Sequence, residues 1–435
     1  MEVAPTTEEL RSIRLVFEPK HSATFESLNN LELFVPDTFG RKSLRKAIGQ
    51  LAKECPVDCL DFAIEGILLR TTLGKFCDKY GKSRENVLEV MCFQPEAEPK
   101  EVSSRTQSRW LSCLYCLHVS DSTKIVAGDA DGFLTCWNWS DSQISTAWER
   151  PACKDSKQST VVGVDWLPSQ RKLIVCLQAG YLVFGNLEDS ENSSVRLNEP
   201  NGTKKNSIES VLFLRTSDDT YDSVLLGTFE GSILKIPKDE LELYTYDGRP
   251  KKELRNLNTE ETLLGHSQRV SSVISLDICF LLSSSWDGTL KIWDLNKCCM
   301  ISSVNVGRPI NSLTTSSNQD YFVAGNMDGS FTLLDSRQEK PALRKKFAHS
   351  SATTSVACSS LKNHLFCTVG RDNKMKLWDS RALSTPFYER VGERKQEHSY
   401  FTCLSWDNER DLLLAGKNDG GLSCLLFEDG RMVLS

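Results

Sequence analysis

From Trp110 onward, apolar and polar positions alternate in short runs that recur along the chain. The clearest set is Gly265–Asp294, GHSQRVSSVISLDICFLLSSSWDGTLKIWD. Val270, Val273 and Ile274 predict one strand, and Phe280, Leu281 and Leu282 a second. Leu290 and Ile292 alternate with Lys291 and Trp293 in a third, with Asp287-Gly288 as the left-handed turn before it. Six further stretches share the rhythm: 110–139, 161–187, 207–237, 309–337, 353–381 and 400–428. Asp131-Gly132 and Glu230-Gly231 fill the turn slot in two of them.

A strand set with one apolar face cannot bury that face alone, and stacking seven such sets in a closed ring buries all of them. The prediction is a mainly β chain with a seven-bladed WD-repeat β-propeller over 108–435. His266, Ser285, Asp287 and Trp293 have the side-chain types that brace such a blade: imidazole and hydroxyl relay between an indole donor and a carboxylate. His266 and Asp287 are also a pair a catalyst would use, but a brace explains them more simply. The closing Trp-Asp recurs in 353–381, Gly-His recurs nowhere, and 161–187 and 207–237 are the loosest matches. Insertions are expected at 141–158, 188–206 and 238–260; the last holds Arg249-Pro250-Lys251-Lys252, an import patch or a solvated loop. Closing the ring needs an outer strand, from 431–435 or from just before Trp110.

Residues 1–92 have another rhythm. Ile13, Leu15 and Phe17 alternate with polar positions, and 31–35 supplies a hairpin partner. Ser43 can cap a helix with Leu44, Ile48 and Leu51 on one face. LDFAI, a Glu65-Gly66 turn, ILLR, a short helix near Leu73–Tyr80 and NVLEVM complete the order of a small α+β ubiquitin-like domain. The prolines, charges and serines of 94–107 predict a tether, which sets the linker at 93–107.

The 435 residues exceed one ordinary domain, and 25% charged residues with a net charge of −6 argue against indiscriminate nucleic-acid binding. No apolar run reaches membrane-spanning length and the first ten residues are acidic, so a soluble intracellular protein is expected. Of the 16 cysteines, Cys113-x-x-Cys116-Leu-His118 looks like half a metal site. It sits in an alternating apolar run without a second ligand pair at zinc spacing, so buried free thiols are expected. Phosphate loops, G-x-S-x-G and H-E-x-x-H are absent, and His21, His118, His349, His364 and His398 have no evident partners, so no enzyme is expected.

DFAIEGILLRTTLGKF (61–76) with GKSRENVLEV (81–90) resembles the Notchless-like N-terminal domain, found in two kinds of WD-repeat ribosome assembly factor. KLWDSRALSTPFYE (376–389) and LSWDNERDLLLAGKND resemble the last blades of one kind, the WD-repeat subunit of the complex containing pescadillo and the block-of-proliferation protein. The resemblance implies a non-enzymatic nucleolar and nucleoplasmic assembly factor for the large ribosomal subunit, acting in pre-rRNA processing. Its propeller would bind the propeller of the block-of-proliferation protein, and through it pescadillo and the pre-ribosomal particle. Its ubiquitin-like domain would be gripped by the ATPase midasin. Motif matching assigns to Glu85 the carboxylate that completes midasin's Mg²⁺ site in trans; this chain would hold no cofactor of its own. Two alternatives stay open: a Notchless-type factor acting at another step, and a cullin-ligase substrate receptor. The second rests on Trp378-Asp379-Ser380-Arg381 and the near match Leu334-Asp335-Ser336-Arg337.

Overall fold

The computed structural model describes residues 10–17, 28–51, 60–83, 86–94, 98–119, 122–140, 143–153, 159–167, 172–186, 192–196, 207–215, 221–237, 262–335, 343–393, 398–407 and 409–427. The chain divides into two compact units, Met1–Glu98 with Trp378–Phe387, and Pro99–Leu377 with Tyr388–Ser435.

The first unit contains β1 (Leu10–Phe17), β2 (Glu32–Pro36), α1 (Arg41–Leu51), β3 (Asp61–Ile64), β4 (Ile67–Leu68), α2 (Leu73–Tyr80) and β5 (Leu88–Phe93). The sheet order is β2-β1-β5-β3-β4, with β1 parallel to β5 and its other pairings antiparallel. Strand periodicity sends Ile13, Leu15 and Phe17 to one face, where Leu44 and Ile48 of α1 and Leu73 and Phe76 of α2 meet them. Burying each such side chain contributes about 1.5–3 kcal/mol. The helix starts earlier than expected: Leu44 N–H bonds the Gly40 carbonyl at 3.0 Å, so Ser43 lies inside the first turn and is not the cap. Glu65 and Gly66 both take positive φ in the β3–β4 turn. Arg11, 1% exposed, pairs with Asp37 at 2.6 Å and donates to the Ser83 carbonyl at 3.3 Å.

The second unit is seven four-stranded antiparallel sheets, the β-propeller expected from the repeats. They are β7 (Leu111–Val119) to β10 (Gln143–Pro151), β11 (Val161–Leu167) to β14 (Asn192–Arg196), and β15 (Ile208–Arg215) to β18 (Thr262–Leu264). Next come β19 (Val270–Ser275), β20 (Phe280–Ser285), β21 (Thr289–Asp294) and β22 (Cys299–Asn305), then β23 (Ile310–Thr315) to β26 (Leu343–Phe347). Last are β27 (Thr353–Cys358) to β30 (Tyr388–Val391), and β31 (Phe401–Trp406), β32 (Leu412–Lys417) and β33 (Gly421–Leu426) with β6 (Lys100–Thr106). First strands of successive sheets lie side by side, and β31 returns to β7, closing the ring. The core sits between sheets: Leu111, Ile125 and Ala127 of the first pack against Leu412 and Leu414 of the last.

Three expectations change. Residues 100–106, expected within the tether, form β6, which pairs with β33 from Gly421↔Thr106 to Leu426↔Lys100. The outer strand therefore comes from before Trp110; 431–435, like 238–261, lie outside the described residues. The supposed insertions 141–158 and 188–206 carry the outer strands β10 and β14. Outer strands face solvent on one edge, so their sequences (QISTAWERP, NSSVR) lack the apolar alternation that betrays inner strands.

A positive-φ residue sits between the second and third strands of every sheet: Gly132, Gly180, Gly231, Gly288, Gly329, Asn373 and Gly420. Asn373 replaces glycine in the sixth, where its side-chain amide donates to the Gly392 carbonyl at 2.6 Å. Each first strand also bulges near its start, between Val270 and Ser272 in the fourth sheet and between Phe401 and Cys403 in the seventh.

Candidate interaction face and buried braces

The fourth sheet carries the expected brace with one member exchanged. His266 Nδ1 lies 2.9 Å from Asp287 Oδ2, its Nε2 lies 2.8 Å from Ser283 Oγ, and Trp293 Nε1 donates to that same Ser283 oxygen at 2.8 Å. The relay hydroxyl is thus Ser283, not Ser285. Two residues apart on β20, both serines share a face, but Trp293 pairs with Leu281 in the ladder. Ser283 stands between the turn and the indole. Ser285 is one step too close to the turn, where it accepts from Asp287 N–H at 3.1 Å and donates to the Gln268 carbonyl at 3.0 Å. Burial pushes the His266 pKa down, against the pull of Asp287. Burial would raise Asp287, but hydrogen bonds from Thr289, Ser267 N–H and His266 bring it down to about 2. A carboxylate spent on turn and imidazole, with the imidazole in turn spent on a buried hydroxyl, is a brace.

A second brace escaped sequence reading. His349 Nδ1 lies 2.9 Å from Asp372 Oδ1 and its Nε2 2.9 Å from Thr368 Oγ1. Ala348 stands where Gly-His would need glycine, and threonine replaces serine, which hid the match. The spacing was visible: Thr368, Asp372 and Trp378 repeat the intervals of Ser283, Asp287 and Trp293.

At one end of the ring, every sheet makes the same main-chain bond from the residue after its second strand to the carbonyl of the residue before its first. The pairs are Ala130–Trp110, Gln178–Thr160, Phe229–Ser207, Trp286–Arg269, Met327–Pro309, Arg371–Ala352 and Asn418–Tyr400, at 2.8–3.1 Å. These side chains ring one face. Phe229, Trp110 and Met327 are 57%, 46% and 42% exposed, and Arg371 is exposed beside the Tyr400 ring. Arg269 lies over Trp286 at 3.5 Å and bonds Glu209 at 3.2 Å; the Trp286 indole donates to Asn311 at 3.0 Å. Exposed aromatics, methionine and arginine on a rigid frame are the composition of a protein-binding surface.

Cys113 and Cys116 do not converge: Cys113 joins the core between the first two sheets, and Cys116 the core between the last and the first. The cysteines of the described residues are free, and burial pushes Cys113 and Cys403 up to about 12. His118, read as partnerless, lies 2.7 Å from Asp407 Oδ1. Arg381, the residue a ligase adaptor would need, folds back on Asp379 at 2.6 Å with both side chains 9% exposed. Arg337 lies outside the described residues, as do Arg249–Lys252. Glu85 also lies outside them; the described residues reach Ser83 and resume at Asn86. Among the described residues no helix is long and apolar enough to cross a membrane.

The family model described as "WD domain, G-beta repeat" matches residues 257–294 and 342–379, which span the two braced sheets. A ribosome biogenesis protein WDR12 homolog of Trichoplax adhaerens is 26% identical, over 95% of this chain and 95% of its own. The WDR12 homolog of Aedes aegypti is 24% identical over 82% of each chain. Ribosome biogenesis protein ytm1 of Pyrenophora tritici-repentis is 24% identical over 79% of this chain and 77% of its own. Two of its sheets thus match WD repeats, and along most of its length this chain is similar to proteins named for ribosome biogenesis.

Proposed function

We propose that this protein is a non-enzymatic scaffold in assembly of the large ribosomal subunit, acting in the nucleus and nucleolus. The ring of Trp110, Phe229, Trp286, Met327 and Arg371 would receive the block-of-proliferation protein, and through it pescadillo and the pre-ribosomal particle. The exposed aromatic–arginine face on a ring whose His–Asp pairs serve as braces carries this reading. Similarity to proteins named for ribosome biogenesis supports it. The first unit would be the handle for midasin, with Glu85 completing midasin's Mg²⁺ site. In support, the buried Arg11 ties the Ser83 carbonyl and the positive-φ Gly81 closes α2, so the segment leading to Glu85 leaves a fixed base.

Affinity purification with mass spectrometry of bound proteins and RNA tests the assignment. Large-subunit precursors with the block-of-proliferation protein are expected, and a cullin adaptor in their place would overturn it. Trp110→Ala with Phe229→Ala should weaken capture of the block-of-proliferation protein by roughly tenfold or more. Unchanged capture would move the partner to another face.

A further inference from the structure

Where the ring closes, three metal-ligand types meet from opposite ends of the chain. Cys116 and His118 are two apart on β7, so their side chains leave the same face of the strand. Asp407 follows β31 directly. One ligand atom from each lies within 4.8 Å of the others. His118 Nε2 is 2.7 Å from Asp407 Oδ1. The Asp407 side chain is 2% exposed, yet its second oxygen, Oδ2, has no hydrogen-bond partner among the described residues. The Cys116 thiol is the donor beside that carboxylate, and a metal ion in place of its proton would bind both groups. Beyond the imidazole, Nδ1 faces Thr123 Oγ1 at 3.2 Å and Glu409 Oε2 at 3.4 Å. Those are the outer partners a ligating histidine uses: a proton moved to Nδ1 would leave Nε2 to a metal in place of its present hydrogen bond to Asp407.

We infer that Cys116, His118 and Asp407 bind one zinc-type divalent cation that staples the first sheet of the ring to the last. Thiolate, imidazole and carboxylate are zinc's own donors, and a mixed sulfur–nitrogen set disfavours Mg²⁺ and Ca²⁺. Tetrahedral zinc places its donors roughly 3.3–3.8 Å apart, so adjustments of about 1 Å complete the set. The Cys116 thiolate and Asp407 balance the dication, while Glu409 and Arg410, which lies near Cys116, offset each other. Water takes the fourth position. On binding, a zinc–sulfur bond forms as the thiol proton leaves to solvent.

The test uses the full-length protein purified without chelator, with elemental analysis and Co²⁺ titration. One equivalent of zinc is expected. One equivalent of Co²⁺ should give thiolate charge-transfer absorption and tetrahedral d–d bands. Both should vanish in Cys116→Ala and Asp407→Asn, and persist in Cys113→Ala and in the Cys298→Ser/Cys299→Ser variant. Chelator should lower the wild-type melting temperature. Calorimetry in buffers of different ionisation enthalpy should show one proton released per metal bound. Absence of the charge-transfer band at saturating Co²⁺, or the same band in Cys116→Ala, would overturn the site. Should the variants fail to fold, a wild-type melting temperature unmoved by chelator would overturn it as well.

Discussion

The hydroxyl of Thr402 reaches the main-chain carbonyl of Leu111 across 2.6 Å, joining the first strand of the last sheet to the first strand of the first. Thr402 is the residue that the β31 bulge pushes out of its ladder. Its counterparts do the same work: Thr354 reaches the Phe401 carbonyl at 2.7 Å and Ser112 the Val161 carbonyl at 2.6 Å. Thr402→Val keeps the shape and removes the donor, leaving a carbonyl unpaired. Urea unfolding should show a loss of about 1–3 kcal/mol, and Thr402→Ser should show little. An unchanged midpoint in the valine variant would remove Thr402 from ring closure.

Because β6 is the outer strand of the seventh sheet, the propeller begins at Pro99. A chain of residues 99–435 should melt cooperatively. A chain of residues 108–435 lacks β6, exposes the β33 edge, and should melt lower and aggregate sooner. Equal melting temperatures for the two would show that β6 contributes nothing to closure.

The choice of Ser283 over Ser285 is testable by coupling. A double-mutant cycle of His266→Ala with Ser283→Ala should give an interaction energy of about 0.5–3 kcal/mol, since the two share one relay. The cycle with Ser285→Ala should give a distinctly smaller one, because Ser285 bonds the turn instead. The reverse ranking would restore Ser285 to the relay.

Acid should weaken the propeller in two stages. His266 is held below its ordinary 6.5, so the unfolded chain takes up its proton first and stability falls once pH drops under about 6.5. Asp287 is held down at about 2 and Asp372 also lies below its ordinary value of 3.8, mainly through partners that outweigh burial. Their contribution is present above pH 4 and is lost as pH falls from there toward 2. Denaturant midpoints at pH 7.5, 5.5 and 3.0 should decline in that order, and the first step should disappear in His266→Gln. A step that persists there would assign it to another group.

If Glu85 is the carboxylate midasin binds, Glu85→Ala should leave the first unit folded and abolish capture of midasin. Glu85→Asp should fail too, since Mg²⁺ tolerates misplaced ligands poorly at 2.0–2.1 Å. Chelator should release the wild type. In cells the variant should join the pre-ribosome and remain there, stalling large-subunit maturation dominantly. Wild-type, chelator-resistant binding by Glu85→Ala would remove it from the metal-ligand role.

The sequence by itself determined the elements whose apolar faces are buried. The inner strands around Val270, Leu281 and Leu290, and Ile13 and Leu15 with Leu44 and Ile48, follow periods of 2 and 3.6 that burial imposes directly on residue choice. The closing brace was legible as a set of types, because His266, Asp287 and Trp293 stand at fixed intervals along the chain. Tertiary structure alone decided the rest. Which serine relays depends on cross-strand register, which places Trp293 opposite Leu281. The outer strands β6, β10 and β14 are specified by the edge they pair with, not by their own pattern. Asp407 meets Cys116 and His118 only because a closed ring brings β31 beside β7, and no local spacing encodes a contact between residues nearly 300 positions apart.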